Sequence, residues 1–270
     1  MKRTIYGLFI ITGIILFSSA FTTDKKEWKS LFNGKDLSGW ETYVGPKEKD
    51  GEPLGLNKNP MKLFSVVELD GGKVLRISGE INASIATKEE FENYHLVLEL
   101  KWGEKLFAAY NSGLLYHSYG DFGAAHGVWM NSHEFQLLTG NIGDSYRTGD
   151  TYCEIPALKN SEGRYVYNRK GENRESKPQT GSVIVAKDKD YEKPKGEWNK
   201  IELYCYGRTS VHVVNGNVNM INYKSGKYVD GGIVEPLSKG KIQIQSEGGE
   251  LFVRNIKISP IDKIPDELLK

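Results

Sequence analysis

The sequence predicts an all-β protein, an antiparallel β-sandwich or barrel. Short segments in which apolar and polar residues alternate recur along the chain, whereas the 3.6-residue period of helices is scarce. Glycine and asparagine turns separate these segments, which is typical of β-sandwiches and barrels. The composition, 39% hydrophobic and 26% charged over 270 residues, is that of a globular chain and excludes a disordered or collagen-like one.

Each predicted strand is an alternating segment next to a turn signal. The first hairpin is Val66–Leu69 with Val74–Ile77, joined by Asp70-Gly71-Gly72, and the clearest strand is Tyr94–Trp102. The turns Asn215-Gly216 and Glu247-Gly248-Gly249 join later pairs. The remaining predicted strands are 113–117, 134–138, 198–206, 210–214, 218–223, 240–246 and 251–259.

Residues 1–20 are predicted to be a cleavable signal peptide. Lys2 and Arg3 precede an apolar run over residues 5–17, and Ser18-Ser19-Ala20 supplies small residues for cleavage. An uncleaved anchor is the alternative, although the run is short for a membrane span of about 20 residues. We therefore expect a periplasmic or secreted protein with no membrane contact after signal removal. The mature chain is predicted to be one domain over residues 28–260 with a short tail over 261–270.

The formal net charge of +1 argues against a nucleic-acid partner, because such binding needs a basic surface. Two segments, 45–60 and 140–196, are expected to be irregular loops that roof one face of the sandwich. Disorder is an equal alternative for residues 160–180. Cys205 is predicted to be a buried thiol. A disulfide bond with Cys153 stays open as an alternative, because the sequence does not give the distance between the two residues.

Polar side chains alternate away from the predicted core on two strands. Phe135 and Leu137 should fill the core, so Glu134 and Gln136 project from the other face of the sheet. In the strand after Gly240, the isoleucines point inward and Gln243 and Gln245 outward. A solvated strand face is the plain alternative. Amides and carboxylates on one curved face suit a ligand rich in hydroxyl groups.

His117 is a candidate proton acceptor, because it ends a predicted strand next to a loop and imidazole titrates near neutral pH. Alternation places it on the face opposite Leu114 and Tyr116. Trp129, Tyr146 and Trp102 are candidates for stacking on a sugar, with a core role favoured for Trp102. The sequence has no GxSxG elbow, P-loop or dinucleotide fingerprint. The strand of Glu134 also lacks the second carboxylate of jelly-roll β-glucanases.

Seven segments, taken in order, resemble the 3-keto-disaccharide hydrolase family. The resemblance as a whole covers nearly all of residues 28–260. The segments are Ser30–Trp40, Asn111-Ser112-Gly113-Leu114, Glu134-Phe135-Gln136-Leu137-Leu138, Gly196-Glu197-Trp198-Asn199, Val214-Asn215-Gly216, Gly240–Gln245 and Phe252–Ile258. Three positions depart from the family pattern: His117 stands where arginine is frequent, Thr139 replaces an aspartate and Glu247 replaces a histidine.

The resemblance implies a concanavalin A-like, antiparallel jelly-roll β-sandwich with long loops over one concave face. It also implies an exported enzyme that acts on carbohydrates oxidised at carbon 3. A base would remove the acidified C2 proton and the enolate would expel the C1 substituent, giving a lyase, or net hydrolysis after water addition.

Glu134 and His117 are then the catalytic candidates, one as base and the other as enolate stabiliser. A divalent cation is the alternative stabiliser, and no other cofactor is predicted. The sugar-positioning candidates are Gln136, Gln245, Glu247, Tyr146, Arg147 and Trp129. Two rival functions remain, a non-catalytic carbohydrate-binding module and an ordinary glycoside hydrolase. The latter needs a second carboxylate near Glu134, for which Glu247 and Glu99 are candidates.

Overall fold

The computed structural model describes residues 27–48, 50–176 and 185–270, so the predicted signal peptide lies outside the described residues. The strands are β1 Lys29–Ser30, β2 Trp40–Val44, β3 Gly55–Leu56, β4 Phe64–Leu69, β5 Gly72–Ile77, β6 Ala83–Thr87, β7 Phe91–Glu92, β8 Tyr94–Asn111, β9 Gly113–Tyr119, β10 Asn131–Gln136, β11 Ser145–Thr148, β12 Thr151–Lys159, β13 Tyr165–Tyr167, β14 Glu172–Glu175, β15 Asn199–Tyr206, β16 Thr209–Val214, β17 Asn217–Val229, β18 Ile233–Pro236 and β19 Lys239–Pro260. Short helical turns are Pro60–Lys62, Asp230–Gly232 and α1 Asp266–Leu269.

Two antiparallel sheets form the sandwich, which confirms the predicted fold class. The back sheet runs β4-β5-β19-β8-β15-β16-β17. The front sheet runs β3-β2-β6-β19-β9-β10-β11. The long strand β19 belongs to both sheets, and register shifts around Gly248 and Gly249 mark where it bends from one sheet to the other.

The hairpins form where the turn residues predict them. Asp70 and Gly71 both have positive φ between β4 and β5, and Asn215 and Gly216 do so between β16 and β17. Asparagine, aspartate and glycine tolerate this left-handed conformation, which type I′ hairpin turns require at both central positions. The local turn chemistry therefore sets the register of both strand pairs.

The expectation of an irregular segment over residues 140–196 is wrong for much of its described part. Residues 145–175 contain β11 to β14, and β12 pairs with β13, β14 and the second half of β17. Strand β18 then pairs with β17 to complete a third, smaller sheet. Seven consecutive residues of β12 are buried, because both of its sides are covered. Residues 177–184 lie outside the described part of the chain.

The main core lies between the front and back sheets. Phe135, Leu137, Ile242 and Ile244 are buried there, as their alternation predicts. Because these side chains point inward, the residues between them on β10 and β19 must point to the opposite face of the front sheet. Truncating a buried phenylalanine such as Phe135 typically costs about 3–5 kcal/mol of stability, so this orientation is strongly fixed.

Both cysteines are free and buried, Cys205 in the main core and Cys153 beneath the third sheet, so they do not form a disulfide. The C-terminal residues Ile261 and Ile264 pack into the same second cluster as Cys153. Within the described residues, no helix is long and apolar enough to span a membrane.

Candidate functional site

The outer face of the front sheet gathers polar side chains from three strands, β10, β11 and β19. Glu134 and Gln136 project from β10, and Gln243 and Gln245 project from β19. Tyr146 of β11 pairs directly with Glu134, and directly paired residues of antiparallel strands point to the same side. The structure therefore brings together five polar residues of one face, four of which sequence analysis had named as site candidates.

Gly113 leaves the space in which two of these side chains approach each other. A Cβ atom at this position would stand within 2.7 Å of Oε1 of Glu134 and of Oε1 of Gln245. The two oxygens are therefore no more than twice that distance apart, above the Gly113 backbone. Only glycine fits here without displacing one of them.

Glu134 is 7% exposed, and burial raises the pKa of its carboxyl group to about 8. Two neighbours modify this shift. The Thr148 hydroxyl donates a hydrogen bond of 2.6 Å to Oε2, which favours the ionised form and lowers the pKa, whereas the charge of Glu247 raises it further. The hydrogen bond from Thr148 fixes Oε2 of Glu134, whereas the other carboxyl oxygen, Oε1, lies on the side of Gln245.

Glu247 is the second carboxyl group with a raised pKa. Burial raises the pKa of Glu247 to about 7, and the side chain of Asn111, its paired residue on β8, opposes the rise. The charge of Glu247 also raises the pKa of Glu134. Between about pH 7 and 8, the raised pKa values favour a protonated Glu134 and an ionised Glu247, so that one carboxylic acid and one carboxylate are present together.

Several buried acceptors on or beside this face have no hydrogen-bond partner among the described residues. They are Oε1 of Gln243, Oε1 of Gln245, Oγ of Ser84 and Oδ1 of Asn111. Ser84 pairs with Gln245 across the sheet, so these two groups share the face. Leaving a buried polar group unpaired costs about 1–3 kcal/mol, which points to an external hydrogen-bonding ligand or water.

Gln136 and Trp129 also lie on this face, but contacts within the protein restrict how their side chains can bind a ligand. Oε1 of Gln136 accepts hydrogen bonds from the backbone N–H groups of Leu137 and Leu138, which leaves only its amide nitrogen for a ligand. Trp129 is 7% exposed and packs with Leu115, the residue between Gln243 and Glu134 in the register. Its ring therefore forms part of the floor rather than an open platform.

Arg147 is not brought to the Glu134 side of the sheet. It pairs with His133, whose side chain points into the protein, and its guanidinium donates to the backbone carbonyl of Gly149. Burial lowers the pKa of Arg147, and its charge acts on Tyr119, Asp150, Cys153 and Tyr228 on the side of the third sheet. Tyr146, the preceding residue, is half-buried, and burial raises its pKa to about 12.

The structure does not bring His117 together with Glu134, and the predicted orientation of its side chain is wrong. Strand β9 has one extra residue relative to both of its neighbours, between Tyr116 and Tyr119 against β10 and between Leu115 and Ser118 against β19. His117 lies in this bulge with φ of 49°, so strict alternation fails there.

The His117 ring is 1% exposed and packs against Tyr94, Tyr116 and His133. Neither ring nitrogen has a hydrogen-bond partner in residues 27–48, 50–176 or 185–270, and burial lowers the pKa of His117 to about 3. An imidazole in this position stays neutral and has no route to a sugar on the outer face. Glu99 is also remote, because it bonds to Arg254 and Asn255 on the back sheet.

Sequence reasoning missed Thr148 and the role of Gly113. The Asn-Ser-Gly segment carried a signal for Gly113, because it belongs to the resemblance described above. Thr148 carried none, since it reaches Glu134 only through the pairing of β10 with β11. That pairing depends on the conformation of the loop over residues 137–144.

The predicted divalent cation has no evident ligand cluster. No group of three or more histidine, cysteine, aspartate or glutamate side chains within the described ranges is arranged to bind a metal ion. The oxygen donors on this face are the two carboxylates and the amide oxygens described above. Hard cations such as Mg²⁺ and Ca²⁺ accept ligands of this type, so a cation remains a prediction.

The fold and the polar outer face define a jelly-roll class of protein, and comparison with known proteins identifies the family. Residues 27–259 match the model of the 3-keto-alpha-glucoside-1,2-lyase-like domain, so the chain belongs to this family. This confirms the family resemblance.

Solved structures share the fold. A candidate glycosyl hydrolase from Parabacteroides distasonis ATCC 8503 is 24% identical, with a TM-score of 0.50 over 87% of this chain and 100% of the other. A second candidate glycosyl hydrolase from the same organism is 21% identical, with a TM-score of 0.47 over 87% and 94% of the two chains. The carbohydrate-binding module CBM66 from Bacillus subtilis is 9% identical, with a TM-score of 0.39 over 72% and 91%. Comparison with curated proteins gives no match.

Proposed function

We propose that the protein cleaves glycosides whose sugar is oxidised at carbon 3, by removing the C2 proton and eliminating the C1 substituent. The observation that carries the proposal is the Glu134–Glu247 pair, a buried and a partly buried carboxyl group with raised pKa values on the polar face. Membership of the 3-keto-alpha-glucoside-1,2-lyase-like family supports the substrate class.

The pair supplies both groups that the elimination needs. Its ionised member takes the C2 proton, the C2–H electrons form the enolate, and the enolate then restores the C3 carbonyl as the C1–O bond breaks. The protonated member donates a hydrogen bond to the developing oxyanion and then transfers its proton to the departing C1 oxygen. One proton is taken and one is given, so the pair ends with a single proton and the two carboxyl groups exchange roles.

The neighbouring groups position the sugar. The unpaired acceptors of Gln245, Gln243 and Ser84 match sugar hydroxyl donors, and the amide nitrogen of Gln136 is a donor for an oxygen. Because Gln243 is held by donation to Ser118 and Ser132, its orientation is fixed before substrate binds. The product would be an unsaturated ketone, or a hydrated sugar if water adds to the double bond.

The test is incubation with 3-oxo glycosides and their unoxidised counterparts, with and without a chelator, followed by mass spectrometry. We expect turnover of the 3-oxo substrates only. Glu134→Gln and Glu247→Gln should each reduce kcat by about 10²-fold or more, because neither amide can exchange a proton. Unchanged turnover in both variants would remove the pair from the mechanism, and a large loss with chelator would assign the stabilising role to a cation.

An ordinary glycoside hydrolase is the second candidate function, because the Glu134–Glu247 pair also resembles the two carboxyl groups that glycosidases use. Cleavage of unoxidised p-nitrophenyl glucoside without activity on its 3-oxo derivative would establish this function. A non-catalytic binding module would bind both glycosides and cleave neither.

We also propose that the protein is exported through the signal peptide predicted over residues 1–20. The basic residues, apolar run and small residues quoted above support this proposal. Expression of the full chain in a bacterium, followed by fractionation and intact-mass measurement, tests it. A periplasmic or secreted product shortened by about 20 residues is expected, and a full-length cytoplasmic product would contradict it.

A further inference from the structure

A second cavity, of about 400 Å³, shares no residue with the polar face around Glu134. Its walls come from residues 167–170 after β13, residues 188–191, and the start of β17. The loop over residues 137–144 separates it from Gln136, since Gly143 bonds to the Gln136 backbone and a Cβ added to Gly143 would collide with Asn219.

Asn219 lines this cavity with a buried side-chain amide. The residue is 2% exposed, and neither its Oδ1 nor its Nδ2 makes a hydrogen bond within the part of the chain that the structure describes. It is also an inserted residue, because His212 pairs with Met220 and the next residue, Val213, pairs with Val218. Bulges of this kind redirect a side chain away from regular alternation, and they occur often beside functional sites.

Tyr167 is a second buried polar residue in the lining of this cavity. It is 6% exposed, and among the described residues its hydroxyl interacts with the Arg169 guanidinium, without a hydrogen bond of good geometry. Burial raises the pKa of Tyr167 to about 12, and the nearby Arg169 guanidinium opposes this rise. The Asn219 amide thus leaves two buried polar atoms unpaired within the described residues, which favours a ligand or water that pairs them.

The rim of the cavity is positively charged. Arg169, Lys170 and Lys189 line it together with a single carboxylate, Asp188. Tyr191 adds an aromatic ring to the wall. An amide and a phenol in the floor suit hydroxyl groups, the ring suits the apolar face of a sugar, and the guanidinium suits a carboxylate.

We propose that this cavity binds an acidic sugar residue, a hexuronate, independently of the catalytic face. Asn219 and Tyr167 bind its hydroxyl groups, and Arg169 and Lys189 bind its carboxylate. The site would hold the protein on an acidic glycan while the Glu134 face acts on another part of the chain. It does not depend on the proposed reaction.

The test is titration of the folded protein with methyl β-D-glucuronide and with methyl β-D-glucoside, followed by calorimetry or ligand-observed NMR. We expect the glucuronide to bind more tightly, and added salt to weaken that preference. Tyr167→Phe, which removes only the hydroxyl group, should weaken binding of both sugars by about tenfold. Arg169→Gln should remove the preference for the glucuronide.

Matched controls are Tyr206→Phe and Arg164→Gln, which change exposed residues outside the cavity, and both should bind like the unaltered protein. Glu134→Gln should keep the binding that Tyr167→Phe removes, which separates this site from the catalytic proposal. Absence of glucuronide binding at millimolar concentration, or binding that Tyr167→Phe and Arg169→Gln both leave unchanged, would overturn the proposal. Inorganic phosphate that competes fully while the glucoside shows no binding would reduce the site to a simple anion site and also overturn it.

Discussion

At the scale of single residues, a substitution at Gly113 tests whether activity depends on the positions of the Glu134 and Gln245 side chains. Gly113→Ala places a methyl group against the Oε1 atoms of Glu134 and Gln245, so one of them must move. We expect kcat to fall by about 10²-fold, since small displacements of reacting groups have effects of this size. Gly72→Ala is the control, because nothing lies within 4 Å of its added methyl group and its φ is not positive. Equal activity of the two variants would contradict the assignment.

Thr148 lowers the pKa of Glu134 through one hydrogen bond. Thr148→Val removes the donor that favours ionised Glu134, so the pKa of Glu134 should rise further above its present value of about 8. The alkaline limb of the kcat profile, which reports loss of the last proton from the pair, should move up by about one pH unit. Thr139→Val changes an exposed threonine on the loop before β11 and should leave the pH profile of kcat unchanged. An alkaline limb that stays fixed in Thr148→Val would assign it to another group.

At the scale of strands, alternation was a good guide wherever pairing is regular. Phe135 and Leu137 enter the core and Glu134 and Gln136 leave it, as their pattern predicts. The rule fails at bulges because one inserted residue changes the face on which the next side chain lies. His117 is such a residue, and whether a bulge forms depends on pairing with β10 and β19, which are distant in sequence. Strand β12 escaped prediction for a related reason, since its buried residues include Thr151 and Glu154, whose burial depends on pairing with β14 and β17.

The buried histidines of β9, β10 and β16 give these strands a defined response to acid. Burial lowers the pKa of His117 to about 3 and that of His212 to about 4, and the pKa of His133 lies well below its usual value. Unfolding restores ordinary values near 6.5, so the unfolded chain binds more protons and stability falls as pH drops through this range. Each such group contributes at most about 1.4 kcal/mol per pH unit.

His117→Asn should flatten this acid dependence by up to one proton. Asparagine tolerates the positive φ at this position, although loss of the ring lowers stability at every pH. The slope of the urea-unfolding free energy between about pH 4 and 6.5 is therefore the measurement. His126→Asn is matched in φ but exposed, and it should keep the slope of the unaltered protein. The same slope in both variants would mean that His117 binds its proton equally well in the folded and unfolded states.

At the scale of the whole molecule, the Glu134–Glu247 pair and the buried histidines oppose each other in their effect on stability. The folded pKa values of Glu134 and Glu247, about 8 and 7, lie above the ordinary value of 4.5, so the folded protein holds more protons than the unfolded chain between these values. Stability must then decrease as pH rises from 4.5 towards 8. The histidines have the opposite effect on stability below pH 6.5. The two effects therefore partly cancel between pH 4.5 and 6.5, and above pH 6.5 only the effect of the two carboxyl groups remains.

This balance predicts that the catalytic site destabilises the fold at mildly alkaline pH. Glu134→Gln removes the buried ionisation while keeping the shape of the side chain, so it should be more stable than the unaltered protein at pH 8 and nearly equal to it at pH 4.5. Thermal unfolding of both proteins across this range is the measurement, and Glu99→Gln, on the back sheet, is the control that should show no alkaline gain. A Glu134→Gln variant that gains no stability between pH 6.5 and 8 would mean that Glu134 stays ionised in the folded protein, and the shared proton on which the elimination depends would be lost with it.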